Sequence, residues 1–279
     1  MIKIVTDSSA DLSPHLAAEL GITVIPTRID FGSRIYHDGV DIDLVDLAHH
    51  LTKGVVPPTI EPPTIEEFQA VYGRLLKGAA DEVLSIHTSS RLNRTVQVAR
   101  EAAKSFLGRN KITIIDSRQI SWGLELLVDI AAEVAQRGEP MQEIVRLIRG
   151  VIPHIYMVFF TENLEYLERQ TRPGRSRLFA DNVPGLRPLL IMEEGEIVPL
   201  ERVRARGKSV DRLFEFVSEF AYFDRVSILQ GRLVDEAQGL FERLREVFPE
   251  KKLHIQPYGP TLAAYLGLDA LGVGVYEGL

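Results

Sequence analysis

Ile2-Lys3-Ile4-Val5-Thr6-Asp7-Ser8-Ser9-Ala10-Asp11-Leu12 is the stretch from which the rest of the chain is read. Ile2 to Val5 is rich in β-branched residues and reads as a strand. It runs into a loop of hydroxyls and carboxylates, and then into an amphipathic helix over Leu12 to Leu20 that Gly21 ends. Ile22 to Ile25 is a second strand. The alternation continues with helices over Ile65 to Leu76, Asn93 to Phe106, Ser121 to Arg137 and Met141 to Arg149. The strands between them are Val83 to His87 and Ile112 to Ile115. Strands alternating with helices predict an α/β fold whose mostly parallel sheet is flanked by helices.

The pattern changes near Gly150 to Pro153, which sets an expected division into domains 1–152 and 153–279. Beyond it His154 to Phe160 reads as a strand and Leu164 to Gln170 as a helix. Leu189 to Met192 and Ile197 to Arg206 read as strands flanking the Glu193-Glu194-Gly195-Glu196 turn. Helices over Lys208 to Phe220 and Asp235 to Phe248, with strands at Arg225 to Leu229, Leu253 to Gln256 and Val273 to Tyr276, complete a second α/β domain with a mixed sheet.

Composition narrows the function. A net charge of −7 over 279 residues argues against a general nucleic-acid binder. With no cysteine there is no disulfide, thiolate nucleophile or cysteine-held metal, which fits a cytoplasmic setting. The opening residues lack the regions of a signal peptide, and no apolar run approaches the ~20 residues of a membrane helix, so no membrane insertion is expected.

The loops expected at the carboxyl edge of the sheet share one chemistry. Thr6, Ser8 and Ser9, then Thr59, then Thr88, Ser89, Ser90 and Asn93, then Ser117 and Ser121 are neutral donors near strand ends. One reading makes them helix caps and turn residues. The other lets several of them converge beside helix N-termini on an oxyanion. Enzyme motifs are absent: no G-x-S-x-G, H-E-x-x-H, G-x-G-x-x-G or Walker A sequence occurs. No catalytic residue, metal site or cofactor is therefore assigned. A hydrolase or phosphotransferase working in the same hydroxyl-lined cleft, with Asp7 or Asp116 as base or metal ligand, is the alternative. Arg202, Arg204 and Arg206 alternate, and period-two spacing on a strand puts them on one face, either solvated or used for partner docking.

In order along the chain, these segments resemble the DegV family of bacterial fatty-acid-binding proteins. The resemblance rests on Thr6-Asp7-Ser8-Ser9-Ala10-Asp11-Leu12, Tyr36-His37-Asp38-Gly39-Val40-Asp41-Ile42 and Asp116-Ser117-Arg118-Gln119-Ile120-Ser121-Trp122-Gly123. Leu186-Arg187-Pro188-Leu189-Leu190, Ile197-Val198-Pro199-Leu200-Glu201-Arg202-Val203-Arg204, Gly259-Pro260 and Gly267 to Val273 continue it. It implies a two-domain fold with one long-chain fatty acid as ligand, the tail covered by the second domain, and a separate fatty acid kinase as partner that phosphorylates the bound acid. It also implies a carboxylate site at Thr59, Ser89, Ser90, Asn93, Arg94, Arg172 and Tyr265. At and beside these positions the chain departs from the family pattern: Ile60 and Asn93 stand where serines are expected, Arg94 where a glycine is, Tyr265 where a histidine is, and Gln170-Thr171 where two glycines precede the arginine.

Overall fold

The computed structural model describes residues 1–52, 58–78, 81–106, 111–162, 164–170, 186–204 and 206–278. The first part of the chain runs β1 (Ile2–Asp7), α1 (Pro14–Leu20), β2 (Thr23–Ile25), β3 (Arg28–Asp30), β4 (Ile35–His37), α2 (Leu44–Thr52), β5 (Thr59–Glu61), α3 (Ile65–Leu75), β6 (Glu82–His87), α4 (Thr95–Ala103), β7 (Lys111–Asp116), α5 (Trp122–Gln136) and α6 (Met141–Val151). The second runs β8 (Ile155–Thr161), α7 (Glu165–Gln170), β9 (Leu186–Glu193), β10 (Glu196–Arg204), α8 (Arg206–Ser218), β11 (Arg225–Gln230), α9 (Val234–Val247), β12 (Lys252–Pro257), α10 (Pro260–Leu266) and β13 (Ala270–Tyr276).

Local chemistry accounts for the boundaries. Ser13 caps α1 with Pro14 in its first turn, and Gly21 ends it in the left-handed region at φ +67°. Thr64 and Glu67 form a reciprocal capping box at the start of α3. In α6, Met141, Ile144, Ile148 and Val151 are all buried, the stripe that a helical period requires.

β1, β2, β6 and β7 form a fully parallel sheet in the order β2-β1-β6-β7. Successive side chains of β1 leave on opposite faces: Val5 packs with Phe68 and Tyr72 of α3, while Ile4 joins the cluster containing Trp122 and Leu126 of α5. The mixed sheet has the order β10-β9-β8-β13-β11-β12. Its middle strand β13 is buried along its length, and Gly272 and Gly274 leave room for the rings of Phe159 and Trp122. The fold is thus the α/β architecture expected, with a parallel sheet in the first part of the chain and a mixed sheet in the second.

Two readings of the sequence need correction. β3, β4 and β5 form a small antiparallel sheet, order β4-β3-β5, that no pattern in the sequence marks, because three-residue strands are too short to display a period. Arg206 does not extend the strand of Arg202 and Arg204: β10 ends at Arg204 and Arg206 opens α8, so the period-two argument stops one residue before it.

The two larger sheets share a core. One hydrophobic cluster runs from Ile4 and Ile86 through Trp122 to Met157, Phe159 and Tyr265. Every residue of α10 is buried, and this helix near the chain's end packs on the turn Ser8–Ala10, α2, β5 and α7. A Cβ at Gly274 would overlap the Trp122 ring where these layers meet. Gly274→Ala is expected to lower stability by roughly 1–3 kcal/mol in urea unfolding. An unchanged midpoint would show that the ring can move aside.

Candidate functional site

The parallel strands deliver their carboxyl ends to one buried polar layer. At the end of β1, Asp7 is fully buried and surrounded by donors. Its Oδ2 accepts from Thr88 N at 3.0 Å and from His87 Nδ1 at 2.9 Å; its Oδ1 accepts from Ser9 N at 3.3 Å and from the Ser9 hydroxyl. A carboxylate only accepts, so His87 carries its proton on Nδ1, and Nε2 faces Ser85 Oγ at 2.6 Å. Ser85 in turn meets the Tyr72 hydroxyl at 2.9 Å, and burial raises the pKa of Tyr72, which keeps its proton. The order Ser85–His87–Asp7 imitates a nucleophilic relay. All three side chains have no exposed surface, and Ser85 lies inside β6 beneath Tyr72. These contacts bind β1, β6 and α3 to one another.

A second cluster joins distant parts of the chain. Asp38 Oδ2 accepts from Thr261 at 2.5 Å, Ser8 at 3.1 Å and Thr27 at 3.4 Å. Thr27 and Thr261, 234 positions apart, meet at 2.8 Å. Burial lifts the Asp38 carboxyl to about 6, against the pull of those three hydroxyls and with a small push from Asp7. Asp11 is raised well above the usual carboxylate range by burial, opposed by the hydroxyl of Ser121 and the backbone of Gly259. Ser121 sits at φ +54°, an uncommon conformation for serine. It is fixed there by its bond to Asp11 and by Ser121 N donating to Ser9 O at 2.7 Å. Through Gly259 and Thr261 both carboxyls hold the start of α10.

The expected site residues separate into groups. Ser89 is buried and its hydroxyl donates to Gly195 O at 2.6 Å, clasping the β9–β10 turn. That turn places Glu194 at φ +48° and Gly195 at φ +85°, and a Cβ at Gly195 would overlap Ser89 Oγ. Ser90 donates its hydroxyl to Asp116. Both serines are thus committed to protein acceptors. Thr59, in β5, and Arg94, at the N-cap of α4, are exposed. Arg172 lies outside the described residues. Arg202 is exposed, and for Arg204 and Arg206 only the backbone is described.

Asn93 and Tyr265 do meet. Asn93 is 9% exposed; its Oδ1 accepts from Thr95 N at 2.9 Å, while Nδ2 is buried without a hydrogen bond. Burial raises the pKa of Tyr265, and the nearby Asn93 amide opposes this without forming a well-directed bond. The Tyr265 hydroxyl donates to Leu92 O at 3.2 Å. Thr95 Oγ1, one step into α4, is also buried and unpartnered. Sequence reasoning assigned no site role to Thr95, Thr27 or Thr261; only Thr95 carried a signal, as a hydroxyl two residues beyond Asn93. It also missed Gln170, whose amide donates to Pro58 O at 2.7 Å and Ala264 O at 3.3 Å and whose Oε1 accepts from Ile60 N, tying β5 to α7 and α10. Among the described residues no group of His, Asp or Glu is arranged to hold a metal ion, and no helix is long and apolar enough to cross a membrane.

The family model described as "Uncharacterised protein, DegV family" matches residues 1–278. A DegV domain-containing protein of Streptomyces coelicolor is 32% identical over 277 residues, covering 98% of each chain. Among solved structures, a DegV family protein from Thermus thermophilus, described by its fatty acid binding, is 27% identical, with 99% of each chain covered and a TM-score of 0.89. DegV of Bacillus subtilis, described as a fatty acid binding protein, is 25% identical, with 99% of each chain covered and a TM-score of 0.88.

The buried carboxyls set a pH dependence. Folded, Asp38 holds its proton to about pH 6; unfolded, it releases it near ~3.9. The native state therefore binds more protons between these values, and stability from this group is complete at the acid end and is lost as pH rises through about 6. Asp38→Asn, which does not titrate, should gain on the parent by on the order of 2–3 kcal/mol between pH 4 and pH 7. Denaturant unfolding of both proteins across that range checks it; a difference that does not move with pH would assign the titration elsewhere.

Proposed function

The chain belongs to the DegV family, and from that premise we propose that it binds a single long-chain fatty acid and presents the carboxylate to a separate kinase for acyl-phosphate formation. The observation that carries the reading is the pair of unpartnered buried groups, Asn93 Nδ2 and Thr95 Oγ1, at the first turn of α4 beside the Tyr265 hydroxyl. An unsatisfied buried donor costs ~1–3 kcal/mol, and a carboxylate accepting from it removes that cost. The N-terminal end of α4 adds a favourable field for an anion. The resemblance in fold and sequence to the two fatty-acid-binding structures supports the same ligand class.

Energetics agree with a site of few polar contacts. A sixteen-carbon acid buries about fourteen methylenes at ~0.8 kcal/mol each, roughly 11 kcal/mol in gross terms. Association and chain ordering consume part of this. The head group then governs orientation and handover more than occupancy. Arg202 and Arg204, alternating on β10, are the proposed docking residues for the kinase. The hydrolase alternative has the Ser85–His87–Asp7 geometry in its favour and the full burial of all three against it.

Native mass spectrometry of protein from a bacterial host should show an adduct of fatty-acid mass that denaturation removes. No adduct, together with no fatty-acid binding after delipidation, would end the proposal. Asn93→Leu with Tyr265→Phe should weaken fatty-acid binding about tenfold or more. The same variant should leave binding of the methyl ester, which lacks the anion, nearly unchanged. Equal losses for acid and ester would mean the substitutions damaged the pocket rather than the head-group site.

A further inference from the structure

Among the described strands β5 is paired on one side only. Thr59 lies opposite Asp30 and Ile60 opposite Ile29, both on β3. Its other edge is met by one side chain, that of Gln170, the last residue of α7. Gln170 Nε2 donates to Pro58 O at 2.7 Å, and Gln170 Oε1 accepts from Ile60 N at 3.3 Å. These are the two bonds that the main chain of a neighbouring parallel strand would make around Thr59. A primary amide has a second N–H to give, and here it goes to Ala264 O at 3.3 Å.

Ala264 precedes Tyr265 in α10. The last carbonyls of a helix lack partners within it, and those of α10 are met from outside. Ala263 O accepts from Gly267 N at 2.7 Å, Leu266 O from the Thr161 hydroxyl at 2.5 Å, and Ala264 O from Gln170. Of these donors only Gln170 also holds β5. Pro58, Ile60 and Ala264 are all buried, so none of the three main-chain groups loses its partner without cost. The side chain is specific to the task. Glutamate would lose both donors, asparagine is one methylene shorter, and methionine fills the space with no hydrogen bond.

We infer that Gln170 is a positioning residue of the proposed head-group site, fixing the segment that carries Thr59 to the turn of α10 that carries Tyr265. Through that turn it sets the phenol beside Asn93. Both of its own donors are engaged by protein, so it keeps none for a carboxylate. This role rests on the fatty-acid reading and adds to it a determinant of selectivity. A displaced phenol weakens a directed bond to an acid, because such bonds fall off steeply with angle and distance. The apolar tail has no such demand. Gln170 therefore acts on the preference for the free acid over its ester.

The test uses the delipidated full chain, with palmitate and methyl palmitate as the two probes. The parent is expected to prefer the acid, and Gln170→Met to lose about fivefold or more of that preference with its ester affinity unchanged. Gln170→Asn, which keeps an amide of shorter reach, is expected to behave as Gln170→Met and serves in its place if the methionine variant does not fold. In a Tyr265→Phe background, Gln170→Met should cause no further loss of preference, since the two act through one phenol. A preference that survives Gln170→Met, an equal loss for acid and ester, or losses that add in the double variant would overturn the proposal. A parent chain that binds neither probe overturns the fatty-acid reading, and this role falls with it.

Discussion

Burial of Asp7 at the end of β1 obliges the surrounding chain to supply donors. Both of its oxygens are engaged, by His87, Thr88 and Ser9, and none of it is exposed. An isolated carboxylate in such a place would cost several kcal/mol. The loop following β6 therefore has to lie against the loop following β1, which fixes where Thr88, Ser89 and Asn93 can be. Asp11 and Asp38 repeat the demand at neighbouring positions, and Ser121, Gly259, Thr27 and Thr261 answer it. The polar layer thus holds together the loops that follow β1 and β6 and ties them to α10, which pairs with neither strand.

Its most consequential product is the placement of α10. This short helix follows β12 of the mixed sheet, yet it is fastened at its start to loops of the parallel-sheet part of the chain. Its other end carries Tyr265 to Leu92 and Asn93. Cutting the Asp38–Thr261 contact would leave a buried carboxyl short of a donor and free the helix that positions the phenol. Stability and site geometry are coupled through the same few hydrogen bonds, so the proposed head-group site cannot be varied independently of the fold.

The alternation of Ile2 to Val5, Val83 to His87 and Ile112 to Ile115 with helical stretches was enough to specify a parallel sheet, because fully buried strands read as apolar runs. The mixed sheet was legible for the same reason. The sheet of β3, β4 and β5 was not: its strands are three residues long and owe their existence to pairing partners rather than to a pattern. Hydroxyl-rich loops could be located by sequence, but the acceptor each hydroxyl chooses could not. Ser89 goes to Gly195 and Ser90 to Asp116, contacts set by a turn 106 positions away and by the neighbouring strand. Asn93 belongs to one of those loops, and its free Nδ2 is visible only once Oδ1 is seen to be taken by Thr95 N.

The departures from the family pattern have a common physical sense. Asn93 replaces an expected serine, and the longer amide does two jobs at once: its oxygen caps the first turn of α4, and its nitrogen remains as a donor. Arg94, in place of an expected glycine, is exposed at the N-cap of α4. Tyr265 stands where a histidine is expected, and burial strengthens its hold on the phenolic proton. An imidazole titrates near ~6.5, so a histidine at this position would change charge within the physiological range. A phenol kept protonated donates the same hydrogen bond throughout that range. The substitution exchanges a titrating contact for a constant one, so on the proposed reading the pH sensitivity of the protein moves from its ligand contact to the Asp38 and Asp11 layer that anchors α10.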